Sequence, residues 1–187
     1  MTAVKPYSDG LRERLSRVRV LAMDVDGVLT DGTLQIGNDG CECKQFHVAD
    51  GLGIVIASML GVQVIWVSGR ESVAVQTRAA ELGITRLLQG VRDKGAALSQ
   101  FCREQDIPME QLAFIGDDWN DLPAFQVAGV KIAVANARAE VRAAADLITE
   151  HAGGHGAVRE VCEAIMDARG ERSRCLERYL EGLRSAG

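Results

Sequence analysis

Asp24 and Asp26 stand two positions apart where an apolar run, Val18-Arg19-Val20-Leu21-Ala22-Met23, comes to an end. Two carboxylates this close repel each other, and a divalent cation between them relieves the repulsion. Gly27 follows directly and lets the chain turn, so both side chains can bend round one centre. A strand that ends in acid, acid and glycine presents groups at its carboxyl edge, which in open α/β sheets is where ligands bind.

The elements that must position this pair follow from the apolar pattern. Residues 18–23 read as a buried strand, preceded by a short helix over 9–17 with Ser8 or Asp9 as its cap. Residues 33–36 and 41–46 read as two short strands around Gly37-Asn38-Asp39-Gly40, with Asp-Gly as the turn signal. Further strands are expected at 62–67, 86–88, 112–115, 130–134 and 146–149. Helices are expected at 50–60, 71–82, 94–104, 120–127, 139–145 and 157–168. A last amphipathic helix carries Leu176, Tyr179, Leu180 and Leu183 on one stripe. Strands alternating with helices predict an α/β fold, a three-layer doubly wound parallel sheet with a small β-hairpin after the first strand. One domain is expected over 1–187, with a hairpin flap at about 33–46 and a helical tail at about 170–187.

Composition narrows the function classes. With 187 residues, 47% hydrophobic and 25% charged, the chain is long enough for one sizeable core. A net charge of −5 argues against nucleic acid or an anionic membrane surface as partner. No run approaches the roughly 18 apolar residues of a membrane span, and the first eight residues lack the apolar core of a secretory signal. The odd count of five cysteines suits a reducing cytoplasm. Cys41-Glu42-Cys43 lacks the second Cys or His pair that a zinc site needs.

Asp24-Val25-Asp26-Gly27-Val28-Leu29-Thr30-Asp31-Gly32 resembles the first motif of the haloacid dehalogenase-like phosphohydrolases. Three further motifs of that family have counterparts here, in the family's order. Val64-Ile65-Trp66-Val67-Ser68-Gly69-Arg70 resembles the strand ending in Ser or Thr, and Asp93-Lys94-Gly95 resembles the lysine motif. Gly116-Asp117-Asp118-Trp119-Asn120-Asp121 resembles the acidic one. The match runs over about residues 18–166. Larger relatives carry a cap domain in one of two gaps, and both gaps are too short here, so a capless site is expected.

The resemblance implies a role for each motif residue. Asp24 fits the nucleophile that forms an aspartyl-phosphate, and Asp26 the general acid that later activates water. Asp24, the Asp26 carbonyl and Asp117 would hold Mg²⁺, a hard cation that takes oxygen ligands. Lys94 would set its ammonium against Asp24 and the phosphoryl group. Ser68 would donate to a phosphoryl oxygen, or else cap the next helix. Asp118 and Asp121 are candidates to hold Lys94 or metal-bound water, and Asp118 could equally cap a helix. Arg70 could bind a substrate carboxylate in bidentate fashion, or pair with Glu71 or another acid nearby. Gly69, Arg78, His47 and Asp50 are further candidates around the substrate. Gly153-Gly154-His155-Gly156 could approach a ligand closely or simply join two helices.

Within the family, the hairpin, Phe46-x-x-x-Asp50-Gly51-x-Gly53-Ile54 and the 153–160 stretch resemble the phosphatases of 3-deoxy-D-manno-octulosonate 8-phosphate. That resemblance implies a phosphorylated sugar acid as substrate and a homotetramer joined through the hairpins. Many members carry Arg where this chain has Ala49 and His155, which keeps phosphatases of nine-carbon sugar acids in play. A haloalkanoate dehalogenase would not need Asp26, and a phosphomutase would need a cap. A non-catalytic homologue should have lost motif residues, all of which are kept here.

Overall fold

A computed structural model describes residues 7–185. The opening stretch through residue 6 and the last two residues of the expected tail lie outside the described residues. Helix α1 (Asp9–Ser16) is capped by the Ser8 hydroxyl, which accepts the Leu11 N–H. Strand β1 (Val20–Met23) follows, and all four of its residues are buried. A small hairpin, β2 (Gln35–Ile36) and β3 (Glu42–Cys43), precedes α2 (Val48–Met59) and β4 (Gln63–Val67). Next come α3 (Val73–Glu81), β5 (Arg86–Leu88), α4 (Lys94–Glu104) and β6 (Leu112–Gly116). The chain continues through α5 (Leu122–Val127), β7 (Val130–Ala133), α6 (Ala139–Ala144) and β8 (Leu147–Ile148). Helices α7 (Ala157–Arg169) and α8 (Arg172–Ser185) complete it.

The main sheet is parallel throughout, in the order β5-β4-β1-β6-β7-β8. Strand β1 lies at its centre, with Met23 opposite Trp66 on one side and Ile115 on the other. The chain winds outward from β1 through β4 to β5, then returns to β6 and winds the other way. That reversal between β1 and β6 is a topological switch point, where the strand ends part and a crevice forms. Helices cover both faces: α2 packs on α7 and α7 on α1, while α4 packs on α5. Trp66, Phe114, Leu21, Ile65 and Ile132 are fully buried between the layers, as continuous apolar strands require in such a sheet. The expected three-layer, doubly wound, capless architecture with its hairpin is what the chain adopts.

Three details differ from the sequence reading. The hairpin strands shrink to two residues each, because Leu34, Ile36, Cys41 and Cys43 are exposed and give the ribbon no face to pack on. The helix expected from residue 120 begins as a 3₁₀ turn at Trp119–Asp121, and Pro123 falls in the first turn of α5, where a missing N–H costs nothing. Helix α8 docks through Cys175 against Ile56 and Met166, and its Leu176, Leu180 and Leu183 stripe faces outward. Arg172, paired with Asp167 and Glu163, fixes that orientation.

Candidate active site

Adjacent strand ends bring the acids together. Asp24 directly follows β1 and Asp117 directly follows β6, and the Asp24 N–H still donates to the Ile115 carbonyl at 3.0 Å. Gly27 has a φ of +95°, and a Cβ there would lie 2.2 Å from Asp117 Oδ2. Only glycine lets the first loop close over that carboxylate. The 151–156 loop braces it from behind. A Cβ on Gly153 would meet the Gly27 carbonyl oxygen at 1.7 Å, and the Gly154 N–H donates to the Val28 carbonyl at 2.8 Å. The glycine-rich stretch therefore packs on the acidic loop rather than serving only to join helices.

Lys94, at the first position of α4, is 1% exposed. Its Nζ lies 2.8 Å from Asp24 Oδ1 and 2.6 Å from Asp121 Oδ1. Asp121 Oδ2 accepts the Asp117 N–H at 2.8 Å, so this one residue fixes both the lysine and the second acidic strand end. Asp118 is spent differently: it caps the 3₁₀ turn by accepting the Trp119 N–H at 2.7 Å. Burial opposes the charge on Lys94, but Asp24 and Asp121 outweigh it and raise its pKa. Burial and the Asp121 charge push Asp24 up to about 7 against the pull of Lys94. Burial, with Asp24, Asp121 and Asp118 nearby, pushes Asp117 up to about 8.

One lysine does not neutralise three acids. Carboxylate oxygens of Asp24, Asp117 and Asp121 lie within 4.8 Å of one another. Asp121 uses its oxygens on Lys94 and on backbone N–H groups, which makes it a poor ligand despite its closeness. Asp117 Oδ1 is buried and has no hydrogen-bond partner. Asp24 engages both Lys94 and the Val25 N–H through Oδ1. An orphaned carboxylate oxygen facing a second acid in an all-oxygen setting fits a hard divalent cation. The Asp26 carboxylate is outside this cluster and is ion-paired with Lys44 instead.

A cavity of about 250 Å³ opens above these groups, lined by Asp24, Asp26, Ser68, Gly69, Arg70, Asp117 and Asn120 among others. A larger cleft of about 340 Å³ lies among Gln63, Thr85 and Arg86, at the opposite ends of the strands, and holds none of the acids. Ser68 is 2% exposed and its Oγ accepts the Arg70 N–H at 3.1 Å. It does not cap α3, whose N-cap is Ser72, so its hydroxyl proton is left for the cavity. Arg70 Nη2 donates to Glu42 Oε2 of the hairpin at 2.7 Å, the acid that sequence alone had left unidentified.

Three expected substrate residues lie outside the cavity. Asp50 is 1% exposed and accepts the N–H groups of Gly156 and Arg159 at 3.2 and 2.8 Å. Both oxygens cap the start of α7, so the structure gives Asp50 a capping role there. Arg78 pairs with Glu81 at 2.9 Å and packs over Gly51. His47 is exposed at the start of α2 and makes no capping bond. The sequence reading missed Lys44 and Glu42. Their i, i+2 spacing on an extended segment, which puts both on one face, was the available signal.

A buried acid clamped by lysine, a second acid at the mouth and a cation-fitting pair thus meet at the switch point, where sheets of this kind bind ligands. The sequence profile of the haloacid dehalogenase-like hydrolases matches residues 84–161. Over 170 residues the chain is 41% identical to the 3-deoxy-D-manno-octulosonate 8-phosphate phosphatase KdsC of Escherichia coli, covering 91% of this chain and 90% of that one. The crystal structure of the Moraxella catarrhalis 3-deoxy-D-manno-octulosonate 8-phosphate phosphatase, in complex with magnesium ion, phosphate ion and KDO, superposes with a TM-score of 0.89 at 38% identity. It covers 92% of this chain and 99% of that one. The cobalt-bound Haemophilus influenzae phosphatase gives a TM-score of 0.82 at 40% identity, over 84% and 92% of the two chains. The chain belongs to the haloacid dehalogenase-like hydrolases, in the branch of the 3-deoxy-D-manno-octulosonate 8-phosphate phosphatases.

Proposed function

We propose that this protein is a Mg²⁺-dependent phosphatase of 3-deoxy-D-manno-octulosonate 8-phosphate that works through an aspartyl-phosphate on Asp24. The observation that carries the reading is the Lys94 ammonium fixed between Asp24 and Asp121 beside the orphaned Asp117 oxygen. Phosphate-monoester hydrolysis is among the slowest uncatalysed reactions, so positioning and fixed charge must do most of the work. Asp24 attacks phosphorus; its new O–P bond forms as the bond to the sugar oxygen breaks, and Asp26 passes a proton to that oxygen. Water then attacks the phosphoryl group and returns a proton to Asp26. The O–P bond to Asp24 breaks and phosphate leaves. Lys94, Ser68 and the backbone N–H groups around Gly69 hold the phosphoryl oxygens through both steps. Mg²⁺, which Asp24 and Asp117 would hold with the Asp26 carbonyl, supplies the remaining positive charge.

The substrate's carboxylate, distant from its phosphate, would meet Arg70 at the cavity rim. One domain would carry the whole reaction, in the cytoplasm, supplying the sugar acid of lipopolysaccharide. No described helix is long and apolar enough to cross a membrane. Four copies would associate through the hairpins, since Leu34 and Ile36 are 41% and 65% exposed and the ribbon is too small to bury them itself. Light scattering that found a monomer at micromolar concentration would overturn the tetramer.

Phosphate release from a panel of phosphorylated sugar acids in Mg²⁺ tests the activity. Octulosonate 8-phosphate should be turned over faster than nine-carbon sugar acid 9-phosphates and neutral sugar phosphates, and EDTA should stop the reaction reversibly. Preference for a nine-carbon acid would move the assignment to that class, and absence of release from all of them would refute it.

A further inference from the structure

Four side chains of alternating charge cross the cavity mouth. Lys44 Nζ is ion-paired with Asp26 Oδ1 and lies 3.3 Å from Glu42 Oε1, while Glu42 Oε2 accepts from Arg70 Nη2 at 2.7 Å. Arg70 Nε is 4.0 Å from Asp26 Oδ2, which closes the circuit. Glu42 and Lys44 come from one face of the hairpin, two residues apart. The Lys44 side chain is fully buried, whereas that of Arg70 is 47% exposed. The Ser72 hydroxyl, Arg70 and Lys44 together hold Glu42 down to about 2, so it is a carboxylate at any pH at which the site works.

The Nε and Nη2 edge of Arg70 therefore already faces two protein carboxylates. A ligand carboxylate that engages a guanidinium by two parallel bonds needs such an edge. It also meets the negative charge of Glu42 on approach. We propose that Glu42 is a built-in competitor for Arg70: a carboxylate of the chain that a ligand carboxylate displaces on binding and that takes Arg70 back when the ligand leaves. This rests on Arg70 as the carboxylate contact of the proposed substrate.

The chemistry gives such a competitor a purpose. Hydrolysis changes the phosphate end of a sugar acid phosphate and leaves its carboxylate untouched. Whatever Arg70 contributes to substrate binding it contributes equally to holding the product, and uniform binding does not speed the chemical step. A carboxylate of the chain waiting 2.7 Å from Arg70 weakens both complexes alike and shortens the life of the product complex. Glu42 is thus a specificity and release residue that does not touch the reacting atoms. Lys44, anchored on Asp26, keeps it within reach.

The test is inhibition of p-nitrophenyl phosphate hydrolysis by two carboxylates, free octulosonate and pyruvate, in wild type, Glu42→Gln, Arg70→Ala and the double variant. Glu42→Gln should lower the inhibition constant of both carboxylates about tenfold, equivalent to about 1.4 kcal/mol. In the Arg70→Ala background the same change should do nothing. An unchanged or raised constant in Glu42→Gln, or a gain that survives loss of Arg70, would overturn the proposal. Pyruvate separates this from the substrate reading. If pyruvate responds as expected while octulosonate inhibits no variant, Glu42 competes as proposed and the octulosonate assignment fails.

Discussion

The floor and the rim of the cavity are built on different physical terms. On the floor, Asp24, Lys94 and Asp121 are each no more than 4% exposed, and glycines at 27 and 153 leave the backbone no room to shift. On the rim, Arg70 is half exposed and its partner Glu42 comes from a ribbon with two residues per strand. Charges on the floor are scarcely screened, so each is strong and its position is fixed by packing. Charges on the rim are partly solvated and exchangeable. In the proposed mechanism, bond-making falls to the part that cannot move and recognition to the part that can.

The sharpest way to break that division is to remove Asp24, the proposed nucleophile of the floor. Asp24→Asn keeps the shape, and an amide oxygen can still accept from Lys94 and the Val25 N–H. It should therefore fold, while turnover falls by at least about 10⁴-fold, as expected when a residue that acts as a unit with others is lost. Steady-state phosphate release with circular dichroism as the folding control checks this, and activity near wild type would remove Asp24 from the reaction. Asp26 stands between floor and rim, and its replacement by Ala should cost about 10²–10⁴-fold with an alkoxide leaving group. With p-nitrophenyl phosphate, whose leaving group needs little protonation, the loss should shrink. Equal losses on both substrates would make Asp26 a holder of Lys44 rather than a proton carrier.

The floor was far more legible in the sequence than the rim. Apolar strands that stop at Asp24, Ser68 and Asp117 announce themselves, because a parallel sheet buries its strands completely and must end where polar groups begin. Helix α4 has the bounds expected of it, and Asp93 caps its start by accepting the Ala96 N–H. What the spacing left open was which acid holds Lys94, since Asp118 and Asp121 differ only in where the 3₁₀ turn points them. The cap that Asp50 provides was illegible for a related reason: a buried carboxylate that caps a helix 106 residues away leaves no local mark. On the rim, Arg70 was legible but Glu42 and Lys44 were not, because the hairpin showed itself only through its Asp-Gly turn. Its charged face acquires meaning only when the ribbon folds back onto Asp26 and Arg70.

Proton linkage gives a second measure of the floor. Without metal, folding raises Asp24 and Asp117 above their unfolded value of 3.8, so the folded protein binds more protons than the unfolded one between about pH 4 and 8. Stability then falls as pH rises through that window, by an amount on the order of a few kcal/mol. Lys94, raised above 10.5, stays charged throughout and adds no slope. Thermal melts in EDTA should show a lower Tm at pH 8 than at pH 5. Mg²⁺ competes with those protons, so it should raise Tm more at pH 8 and flatten the dependence. A Tm in EDTA that climbed with pH would mean the two acids are not held against each other as described.

The rim should answer with the smallest effect. A charge-assisted hydrogen bond is worth roughly 1.5–3 kcal/mol, so an Arg70 that bound the substrate carboxylate unopposed would contribute about 10- to 100-fold in kcat/KM. Arg70 is not unopposed, because Glu42 holds it at 2.7 Å in the free protein and that contact is lost when a ligand carboxylate takes its place. The net loss in Arg70→Ala should therefore lie near the lower bound, about tenfold for octulosonate 8-phosphate, and appear in KM rather than kcat. A neutral sugar phosphate of similar length should change much less, since it never engages the guanidinium in place of Glu42. In a Glu42→Gln background the cost of losing Arg70 should grow toward the upper bound, because the competing carboxylate is gone. If Arg70→Ala instead lowers kcat equally for acidic and neutral substrates, Arg70 acts on the phosphoryl group, and the division between a fixed floor and an exchangeable rim would have to be redrawn to put it with Ser68 and Lys94.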